Sequence, residues 1–371
     1  MIITADNNYS GLDDWLADKK KVFLVCDASL DFPDGVGRKL EEVTIPVIRF
    51  SDFKPNPLYE SVVSGVRSFR EHDCDCIMAV GGGSALDVAK CIRVYSALPG
   101  DGEDGAWLEM GSEQSKVPFL AMPTTAGTGS EATRYAVIYY NGLKQSITGD
   151  ALIPETVIMD PDVLKSLPVY QRKATMCDAL MHAVESFWSV NSNEESREYS
   201  REAIGKILAN MDGYLMDQET CRREMLYASN LAGRAINITQ TTAGHAMCYK
   251  ITSLYGCAHG HSAILCDRVL FPWMLEHMEK CTDPRGTEFV RGIFDEIALA
   301  MGVTSAKEAA DKLEEIFEKL NLSVPEATSE QLEELKHSVN TVRLKNHPFA
   351  LDAGDLEELY RRILRVEGQK I

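Results

Sequence analysis

The chain has 371 residues, of which 45% are hydrophobic, and a formal net charge of −18. This length is sufficient for two domains, each with its own core. The acidic balance argues against a nucleic acid or an anionic membrane as a partner, because both bind basic surfaces.

The first part of the chain alternates short apolar segments with helical ones. This order is typical of a mainly parallel α/β sheet, whose ligands bind at the carboxyl ends of the strands. We predict strands within 21–27, 44–50, 76–84, 117–125 and 156–161, helices over 58–71 and 85–97, and a hairpin over 133–150 that turns at Asn141-Gly142.

After turn signals at 162–170 the sequence changes to a series of helices with few strand candidates. We therefore predict an α/β domain over residues 1–165 and an all-α domain over residues 166–371. The active site is expected in the cleft between these domains, which is a common location for small-ligand sites.

The ten cysteines are scattered through apolar stretches, which predicts reduced, mostly buried thiols in a cytoplasmic protein. A soft-metal site at Cys74 and Cys76 is an alternative, although no second cysteine pair accompanies them. The N-terminal residues lack the basic start and apolar stretch of a signal peptide. No segment reaches the roughly 18 to 20 apolar residues of a membrane span.

Two glycine-rich segments follow apolar strands in the α/β half, at 81–84 (GGGS) and at 123–131 (PTTAGTGSE). Glycines let the backbone approach a pyrophosphate, and the N-terminus of the next helix supplies N–H donors. The first segment is not GxGxxG, because residue 86 is Leu86, and a tight strand–helix turn is the alternative. Two such segments in one α/β unit favour a phosphate-bearing ligand.

Asp27 ends the first predicted strand. An acid at this position accepts hydrogen bonds from a ribose diol and repels a 2′-phosphate, which favours NAD over NADP. A capping role in the following turn explains Asp27 equally well on the sequence alone.

One aspartate and three histidines form a candidate metal site in the helical half. Asp178 and His182 are spaced i, i+4 and therefore share one helix face, and His245 and His259 follow. A carboxylate with imidazoles suits Zn²⁺ or Fe²⁺. A surface ion pair and isolated core histidines are the alternatives, but the flanking residues are strongly apolar. Glu185 could orient a ligand, and His261 competes with His259.

These motifs in combination resemble the iron-dependent (group III) alcohol dehydrogenases, and the resemblance spans nearly the whole chain. It rests on PNP at 55–57, GGGSALDVAK at 81–90, PTTAGTGSE at 123–131, ALIPETVIMDP at 151–161, DALMHAVES at 178–186, GHAMCY at 244–249, YGCAHGH at 255–261 and a tail that contains NHP and DLEELYRRIL. The resemblance implies a dehydroquinate synthase-like fold, with an N-terminal dinucleotide-binding α/β domain and a C-terminal helical metal-binding domain.

The resemblance also implies the site residues. The metal ligands fall on Asp178, His182, His245 and His259, and the family spacing selects His259 over His261. The metal is expected to be Fe²⁺, with Zn²⁺ as the alternative, and the cofactor NAD(H) rather than NADP. The cofactor positions fall on Asp27, Asn56, Gly82, Gly83, Ser84, Asp87, Thr124, Thr125, Thr128, Val137 and Lys144. A homodimer is expected.

One departure concerns the proton relay. Many members of the family have a histidine four residues after the third metal ligand, and here Tyr249 occupies that position. Tyr249 could partly replace this histidine through its hydroxyl group.

The stretches at 236–256 and 130–139 resemble the phosphonoacetaldehyde reductase branch, whose substrate is a dianion that needs cationic partners. Lys250 and Arg134 are the candidates, and Arg234 and Arg268 are weaker ones. A salt bridge in an acidic protein is the alternative for each of them. Because neighbouring strand residues face opposite sides, only one of Arg134 and Tyr135 is expected to line the pocket.

The predicted activity is metal-assisted hydride transfer between NAD(H) and an aldehyde or alcohol, with phosphonoacetaldehyde as the candidate substrate. The first alternative is a general dehydrogenase of short-chain primary alcohols or diols. A dehydroquinate synthase-like lyase and a non-catalytic nucleotide- or metal-binding module are less favoured, since so many catalytic-type positions are present.

Overall fold

The computed structural model describes residues 1–28, 35–111, 115–339 and 344–366. The chain divides into two compact units, which meet in the sequence at Leu167 and Pro168. The predicted domain boundary between residues 165 and 166 falls in the short 3₁₀ helix Pro161–Ser166, just before this point.

Unit 1 contains a parallel sheet and a separate hairpin. Its strands are β1 (Ile2–Thr4), β2 (Val22–Cys26), β3 (Val47–Phe50), β4 (Cys76–Gly81), β5 (Phe119–Pro123), β6 (Tyr135–Tyr140), β7 (Leu143–Thr148) and β8 (Thr156–Met159). Its helices are α1 (Ser10–Leu16), α2 (Val36–Glu42), α3 (Tyr59–Glu71) and α4 (Gly83–Tyr95), with 3₁₀ helices at Glu103–Glu109, Ser130–Ala132, Asp150–Leu152 and Pro161–Ser166.

The main sheet of the described residues has the strand order β1-β8-β5-β4-β2-β3, and neighbouring strands are parallel. All residues of β2, β4, β5 and β8 are buried. Strands covered on both faces need continuous apolar runs rather than alternation, which explains segments such as VFLVC. The predicted parallel α/β sheet is confirmed, while β1 is a further strand that the sequence analysis did not identify.

The register of the sheet aligns the ends of its central strands. Cys26 pairs with Val80, and Gly81 pairs with Pro123. The residues that follow β2, β4 and β5 therefore leave the sheet side by side at its carboxyl edge.

The hairpin of β6 and β7 is antiparallel and turns at Asn141 and Gly142, as predicted. Their φ angles of 49° and 73° are both positive, as a type I′ turn requires. Ala136 and Ile138 on one face of β6 are fully buried in the core that also contains Ile92 of α4.

Unit 2 is mainly helical. It contains α5 (Val169–Trp188), α6 (Glu194–Leu215), α7 (Glu219–Thr239), α8 (Ala243–Tyr255), α9 (His259–Glu276), a 3₁₀ helix at Met278–Lys280, α10 (Thr287–Ala300), α11 (Ala306–Leu320), β9 (Glu326–Ala327), α12 (Ser329–Ser338), α13 (Ala353–Ile363) and β10 (Arg365–Val366). The expectation of an all-α domain needs one correction, because β9 and β10 form a short parallel pair. Two residues per strand are too few to show a sequence pattern.

Helix α5 is central to unit 2 and packs against α6, α7 and α9. Its residues from Met176 to Trp188 are all buried, which explains the apolar sequence around Asp178 and His182. Among the described residues, none of the helices combines the length and apolar character that a membrane crossing requires.

The cysteines are free thiols, and most of them are buried. Cys74 and Cys76 do not belong to a metal-type cluster of the described residues. Burial raises the pKa of Cys76 to about 12. The structure therefore offers nothing in favour of the alternative soft-metal site.

His347 is a buried histidine that is expected to make the stability of unit 2 depend on pH. Its side chain is 2% exposed, and neither ring nitrogen has a hydrogen-bond partner among the described residues. Burial lowers the pKa of His347 to about 4, although Glu185 opposes this shift. Between about pH 6.5 and pH 4 the unfolded chain therefore binds the extra proton, so stability falls as the pH falls through this window.

The free energy of unfolding of the wild type falls between these pH values. We expect this fall to be about 3 kcal/mol smaller in the His347→Leu variant. Denaturant unfolding of wild type and variant at both ends of the window measures the difference. His277→Leu, at a partly exposed histidine, is the control for the introduction of a leucine. Equal pH dependence in wild type and His347→Leu would contradict a neutral buried imidazole.

Candidate functional site

The two glycine-rich segments face each other at the carboxyl edge of the unit 1 sheet. The amide of Thr124 donates a hydrogen bond to the carbonyl of Gly81, at 3.0 Å. A Cβ on Gly82 would lie 3.2 Å from Cγ2 of Thr125, and one on Gly83 would lie 3.0 Å from Cγ2 of Thr128. Side chains at these glycines would fill the space where the loop approaches the first turn of α4.

The first turn of α4 starts at Gly83, so its free amides point out of this edge. Gly82, Gly83 and Ser84 are only partly buried, as are Thr125 and Thr128, and Thr124 is buried. This backbone arrangement, with nearby hydroxyl groups, is suited to binding phosphate oxygens.

Asp87 holds this arrangement together. One carboxylate oxygen accepts a hydrogen bond from Oγ of Ser130 at 2.8 Å, and the other accepts one from the amide of Val137 at 2.9 Å. Burial raises the pKa of Asp87, and the neighbouring Lys90 opposes the shift. Asp87, predicted as a cofactor-binding residue, therefore uses both of its oxygens to join α4 to the threonine loop and to β6.

The remaining cofactor candidates lie on the loop after β2, on the PNP loop and on the hairpin. Asp27 directly follows β2 and is partly exposed, and Arg49 donates a hydrogen bond to its carbonyl at 2.9 Å. Asn56 is exposed and has a φ angle of 59°. Its loop is linked to β6 by a hydrogen bond from the amide of Tyr139 to the carbonyl of Pro57.

Val137 and Lys144 lie on one face of the hairpin. Lys144 pairs with Tyr139, and side chains two residues apart on a strand share a face. This is the face opposite to the buried Ala136 and Ile138. The cofactor candidates of unit 1 therefore lie in the segments that follow β2, β3, β4 and β5 and on one face of the hairpin.

Three of the four predicted metal ligands form a tight cluster in unit 2. Nε2 of His245 lies 3.5 Å and Nε2 of His259 lies 3.9 Å from Oδ1 of Asp178. The donor atoms of all three residues lie within 4.8 Å of one another. These residues come from α5, α8 and the first position of α9, so tertiary packing brings them together.

His182 joins this cluster through its ring. The ring stacks on that of His245, with centroids 4.5 Å apart, and it lies one turn after Asp178 on α5. The approach of α9 to α5 depends on Gly260, because a Cβ there would overlap the backbone of Ala174 and come within 2.6 Å of the amide of Asp178.

The cluster has the character of a site for a cation. Oδ1 of Asp178 and Nε2 of His245 are buried and have no hydrogen-bond partner among the described residues. Orphaned polar atoms of this kind are costly unless a further group binds them. Burial raises the pKa of Asp178, but the surrounding histidines outweigh it and hold the pKa below its usual range.

His261 is placed elsewhere. Its Nδ1 lies 3.0 Å from the hydroxyl of Tyr170, and its Nε2 lies 2.9 Å from the carbonyl of Ser323. Both ring nitrogens therefore have protein partners outside the cluster, which argues for His259 as the third histidine.

Glu185 fixes the orientation of His245. Its Oε1 accepts hydrogen bonds from the amide of His245 at 2.8 Å and from Nδ1 of the same residue at 2.6 Å. Its Oε2 accepts from the amide and the hydroxyl of Thr242. Burial raises the pKa of Glu185, but His245 outweighs it and lowers the pKa to about 2. Nδ1 of His245 is thus the donor, and Nε2 is directed into the cluster.

The neighbouring carboxylates also shift the pKa of His245. Burial lowers its pKa, but the charges of Glu185 and Asp178 outweigh burial and raise it to about 9.

Cys248, one turn along α8, places its Sγ 3.6 Å from Nδ1 of His259. The sequence analysis missed Thr242 and Cys248, and the only signal for Cys248 was its i, i+3 spacing from His245.

Of the predicted substrate contacts, Tyr249 lies beside the cluster. Its ring stacks on that of His259, with centroids 5.2 Å apart and an interplanar angle of 21°. Lys250 instead forms an ion pair with Glu334 at 2.5 Å, and Arg134 forms one with Asp150 at 3.4 Å.

The weaker cationic candidates also have structural partners. Arg234 donates to Oδ1 of Asn230 at 3.0 Å, and Arg268 pairs with Glu314 at 2.6 Å. The contact of Arg268 is the salt bridge of the alternative, whereas Arg234 donates to a neutral amide.

Comparison with known proteins identifies the family. Residues 1–161 match the family described as iron-containing alcohol dehydrogenase. Residues 173–364 match the C-terminal part of the Fe-containing alcohol dehydrogenase family.

Individual relatives agree with this result. The phosphonoacetaldehyde reductase of Streptomyces viridochromogenes is 30% identical over 312 residues, which cover 81% of this chain and 79% of that protein. The 1,3-propanediol dehydrogenase of Citrobacter freundii is 34% identical over 274 residues, which cover 71% of this chain and 70% of that protein.

A solved structure shows the same fold. The sulfoacetaldehyde reductase from Bifidobacterium kashiwanohense, solved in complex with NAD⁺, superimposes with a TM-score of 0.84 at 24% identity, covering 98% of this chain and 96% of that one. With both family matches together spanning nearly the whole sequence, the chain belongs to the iron-containing alcohol dehydrogenase family and is an oxidoreductase, as its motifs predicted.

Proposed function

We propose that this chain interconverts an aldehyde and a primary alcohol with NAD(H) and a divalent metal. The observation that carries the proposal is the convergence of one aspartate and three histidines from three helices. Two of their buried polar atoms have no hydrogen-bond partner among the described residues. A lyase of related fold would use the same cofactors, but it would recycle its NAD and give no net NADH turnover.

The metal would be held by Asp178, His182, His245 and His259. A donor set of one carboxylate oxygen and imidazole nitrogens suits Fe²⁺ and Zn²⁺ alike, and the family name favours iron. When bound, such an ion is a Lewis acid that polarises a carbonyl oxygen. Glu185 would keep His245 in the tautomer that can ligate, and His259 would be the solvent-accessible member, since its side chain is 34% exposed.

The dinucleotide would bind at the carboxyl edge of the unit 1 sheet. Gly82, Gly83 and Ser84 with Thr124, Thr125 and Thr128 would contact the pyrophosphate, through amides and hydroxyls. Asp27 would accept hydrogen bonds from the ribose and repel a 2′-phosphate, which favours NAD(H). Asn56, Val137 and Lys144 complete the proposed contacts. When bound, the nicotinamide supplies or accepts the hydride.

Tyr249 is the proposed proton donor to the developing alkoxide. Its ring lies against His259, and a phenol can donate a proton that reaches the substrate directly or through water. We expect Tyr249→Phe to lower kcat about tenfold with little change in KM, because water can replace the hydroxyl in part. Steady-state kinetics of aldehyde reduction measure this effect. An unchanged kcat would assign the proton to another donor.

The finer proposal is that the aldehyde is phosphonoacetaldehyde, which is reduced to 2-hydroxyethylphosphonate. The resemblance of residues 236–256 to that branch supports it, and so does the relative from Streptomyces viridochromogenes. Lys250 and Arg134 would bind the phosphonate, and to do so each would exchange its acidic partner for the dianion. The alternative is a neutral short-chain alcohol or diol, which the relative from Citrobacter freundii favours.

NADH consumption by the metal-reconstituted protein separates these substrates. Phosphonoacetaldehyde is compared with acetaldehyde, propionaldehyde and lactaldehyde at matched concentrations. A kcat/KM at least about tenfold higher for the phosphonate supports the finer proposal. A higher value for the neutral aldehydes leaves the dehydrogenase assignment intact and removes the anion-binding role of Lys250 and Arg134.

We also propose a cytoplasmic homodimer. The free cysteines of the described chain fit a reducing compartment. Light scattering of the purified protein measures the mass directly, and a monomer of 41.2 kDa would contradict the dimer.

A further inference from the structure

An exposed arginine lies at the carboxyl edge of the unit 1 sheet, beside the proposed ribose site. Arg49 is on β3, where it pairs with Leu24 of β2. Its side chain extends beyond the end of β2, because Nη2 donates a hydrogen bond to the carbonyl of Asp27 at 2.9 Å. The proposed reaction assigns no role to Arg49, which lies outside the family motifs of the sequence.

A second contact fixes the direction of this side chain. Nε of Arg49 donates a hydrogen bond to Oγ of Ser51 at 3.2 Å. The same Oγ lies 3.8 Å from Sγ of Cys26, the last residue of β2. The acceptors of the two arginine hydrogen bonds are a hydroxyl and a carbonyl, which are uncharged. These bonds therefore orient the guanidinium group at the end of β2 without neutralising its charge.

The position of Asp27 defines which part of a bound cofactor this charge would meet. In the proposed complex, the Asp27 carboxylate accepts hydrogen bonds from the ribose diol of the dinucleotide. The 2′-phosphate of NADP replaces the hydrogen of one of these hydroxyls, so it would lie where the carboxylate contacts the ribose. Arg49 is bonded to the backbone of the same aspartate. A phosphate that approaches the Asp27 side chain therefore also comes within range of the guanidinium charge.

The chemistry of arginine is suited to a phosphate at this place. A planar guanidinium group presents its N–H donors as a fork that can bind two phosphate oxygens at once. In dinucleotide sites, an arginine near the ribose accommodates a 2′-phosphate, whereas an acid at the end of the strand excludes it. This edge of the sheet holds both kinds of residue. Asp27 and Arg49 therefore act on a 2′-phosphate in opposite directions, the first by repulsion and the second by attraction.

We propose that Arg49 is a binding residue for the 2′-phosphate of NADPH, and that the Asp27 carboxylate prevents its use in the wild type. This inference rests on the proposed dinucleotide site and deepens it, because the cofactor preference becomes the balance of two residues. With the carboxylate present, repulsion dominates and NADH is preferred. With the carboxylate removed, the guanidinium group binds the phosphate, and its contribution determines how tightly NADPH binds.

A double-mutant cycle of Asp27→Gly and Arg49→Met tests the proposal through binding instead of turnover. The probes are NADH and NADPH, which differ only in the 2′-phosphate, and titration of the nicotinamide fluorescence gives the Kd of each without substrate. In the Asp27→Gly background, we expect Arg49→Met to weaken NADPH binding about tenfold and NADH binding less than about twofold. Arg49→Lys should weaken NADPH binding only about threefold, because it keeps the charge but loses the fork.

A control separates this contact from the general effect of removing a positive charge. Arg67 is exposed on α3 of the same unit, and Arg67→Met in the Asp27→Gly background should leave the Kd of both cofactors unchanged. Arg49 is exposed on β3, which is the last strand at one edge of the sheet, so its substitution should leave Tm close to that of the parent. If Arg49→Met does not fold, Arg49→Gln supplies the same comparison.

The outcomes distinguish the two proposals. Wild-type protein that binds no NADH overturns the dinucleotide site, and this inference with it. Equal NADPH affinity in Asp27→Gly and in the double variant overturns the role of Arg49 and leaves the dinucleotide site intact. A loss of NADH binding that Arg49→Met causes only when Asp27 is present also overturns this role, because Arg49 would then position the carboxylate instead of binding a phosphate.

Discussion

Replacing His259 by alanine is expected to leave the purified protein without its metal and to lower turnover by about 10³-fold or more. The ring contributes one of the three donor atoms that lie within 4.8 Å of one another. Loss of a metal ligand removes several kcal/mol of transition-state stabilisation. Every 1.36 kcal/mol corresponds to a factor of ten in rate. Because its side chain is 34% exposed, the substitution should not disturb folding. Metal analysis of the reconstituted protein and NADH turnover measure both effects.

The matched control is His261→Ala, two residues along the same helix. The two ring nitrogens of His261 contact the hydroxyl of Tyr170 and the carbonyl of Ser323, outside the cluster. The variant should keep a full complement of metal and most of its activity, with some loss of stability. The reverse result, in which His261→Ala loses the metal and His259→Ala retains it, would show that the ligand assignment is wrong.

Replacing Asp27 by glycine should shift the ratio of kcat/KM for NADH over NADPH by about 100-fold toward NADPH. The carboxylate follows β2, whose last residue pairs with Val80 beside the glycine turn. Repulsion between a carboxylate and a 2′-phosphate costs several kcal/mol, and removing it admits NADPH. The loss of ribose hydrogen bonds should also raise the KM for NADH.

Asp14→Asn is the control for the change in net charge. Asp14 is exposed on α1 of the same unit, so its substitution should leave the cofactor preference as in wild type. An unchanged ratio in Asp27→Gly would rule out the ribose contact and return Asp27 to the alternative of capping the turn after β2.

The sequence was sufficient for the features that depend on local pattern. Continuous apolar runs located β2, β4 and β5, and Asn141-Gly142 located the hairpin, because strand burial and turn type are properties of short segments. The clustering of Asp178 with His245 and His259 was also predictable, since buried groups of metal-binding type need a shared partner.

Other features depend on contacts between distant segments and could not be predicted. The contact between Cys248 and His259 is one of these, because only the fold brings α8 and α9 together. The ion pair between Lys250 and Glu334 is another contact of this kind, because the two residues are far apart in the sequence. The strands β1, β9 and β10 have only two or three residues each, so pairing rather than pattern defines them.

The position of β1 has a consequence for biosynthesis. β1 pairs with β8, so that Ile2 lies opposite Val157, and β8 also covers one edge of the fully buried strand β5. A ribosome that adds about 5–20 residues per second needs on the order of ten seconds to travel from β1 to β8. Until β8 emerges, β5 presents an unpaired apolar edge that can associate with strands of other nascent chains. The interval between the emergence of β5 from the ribosome and that of β8 is therefore when a chaperone would protect this protein most effectively.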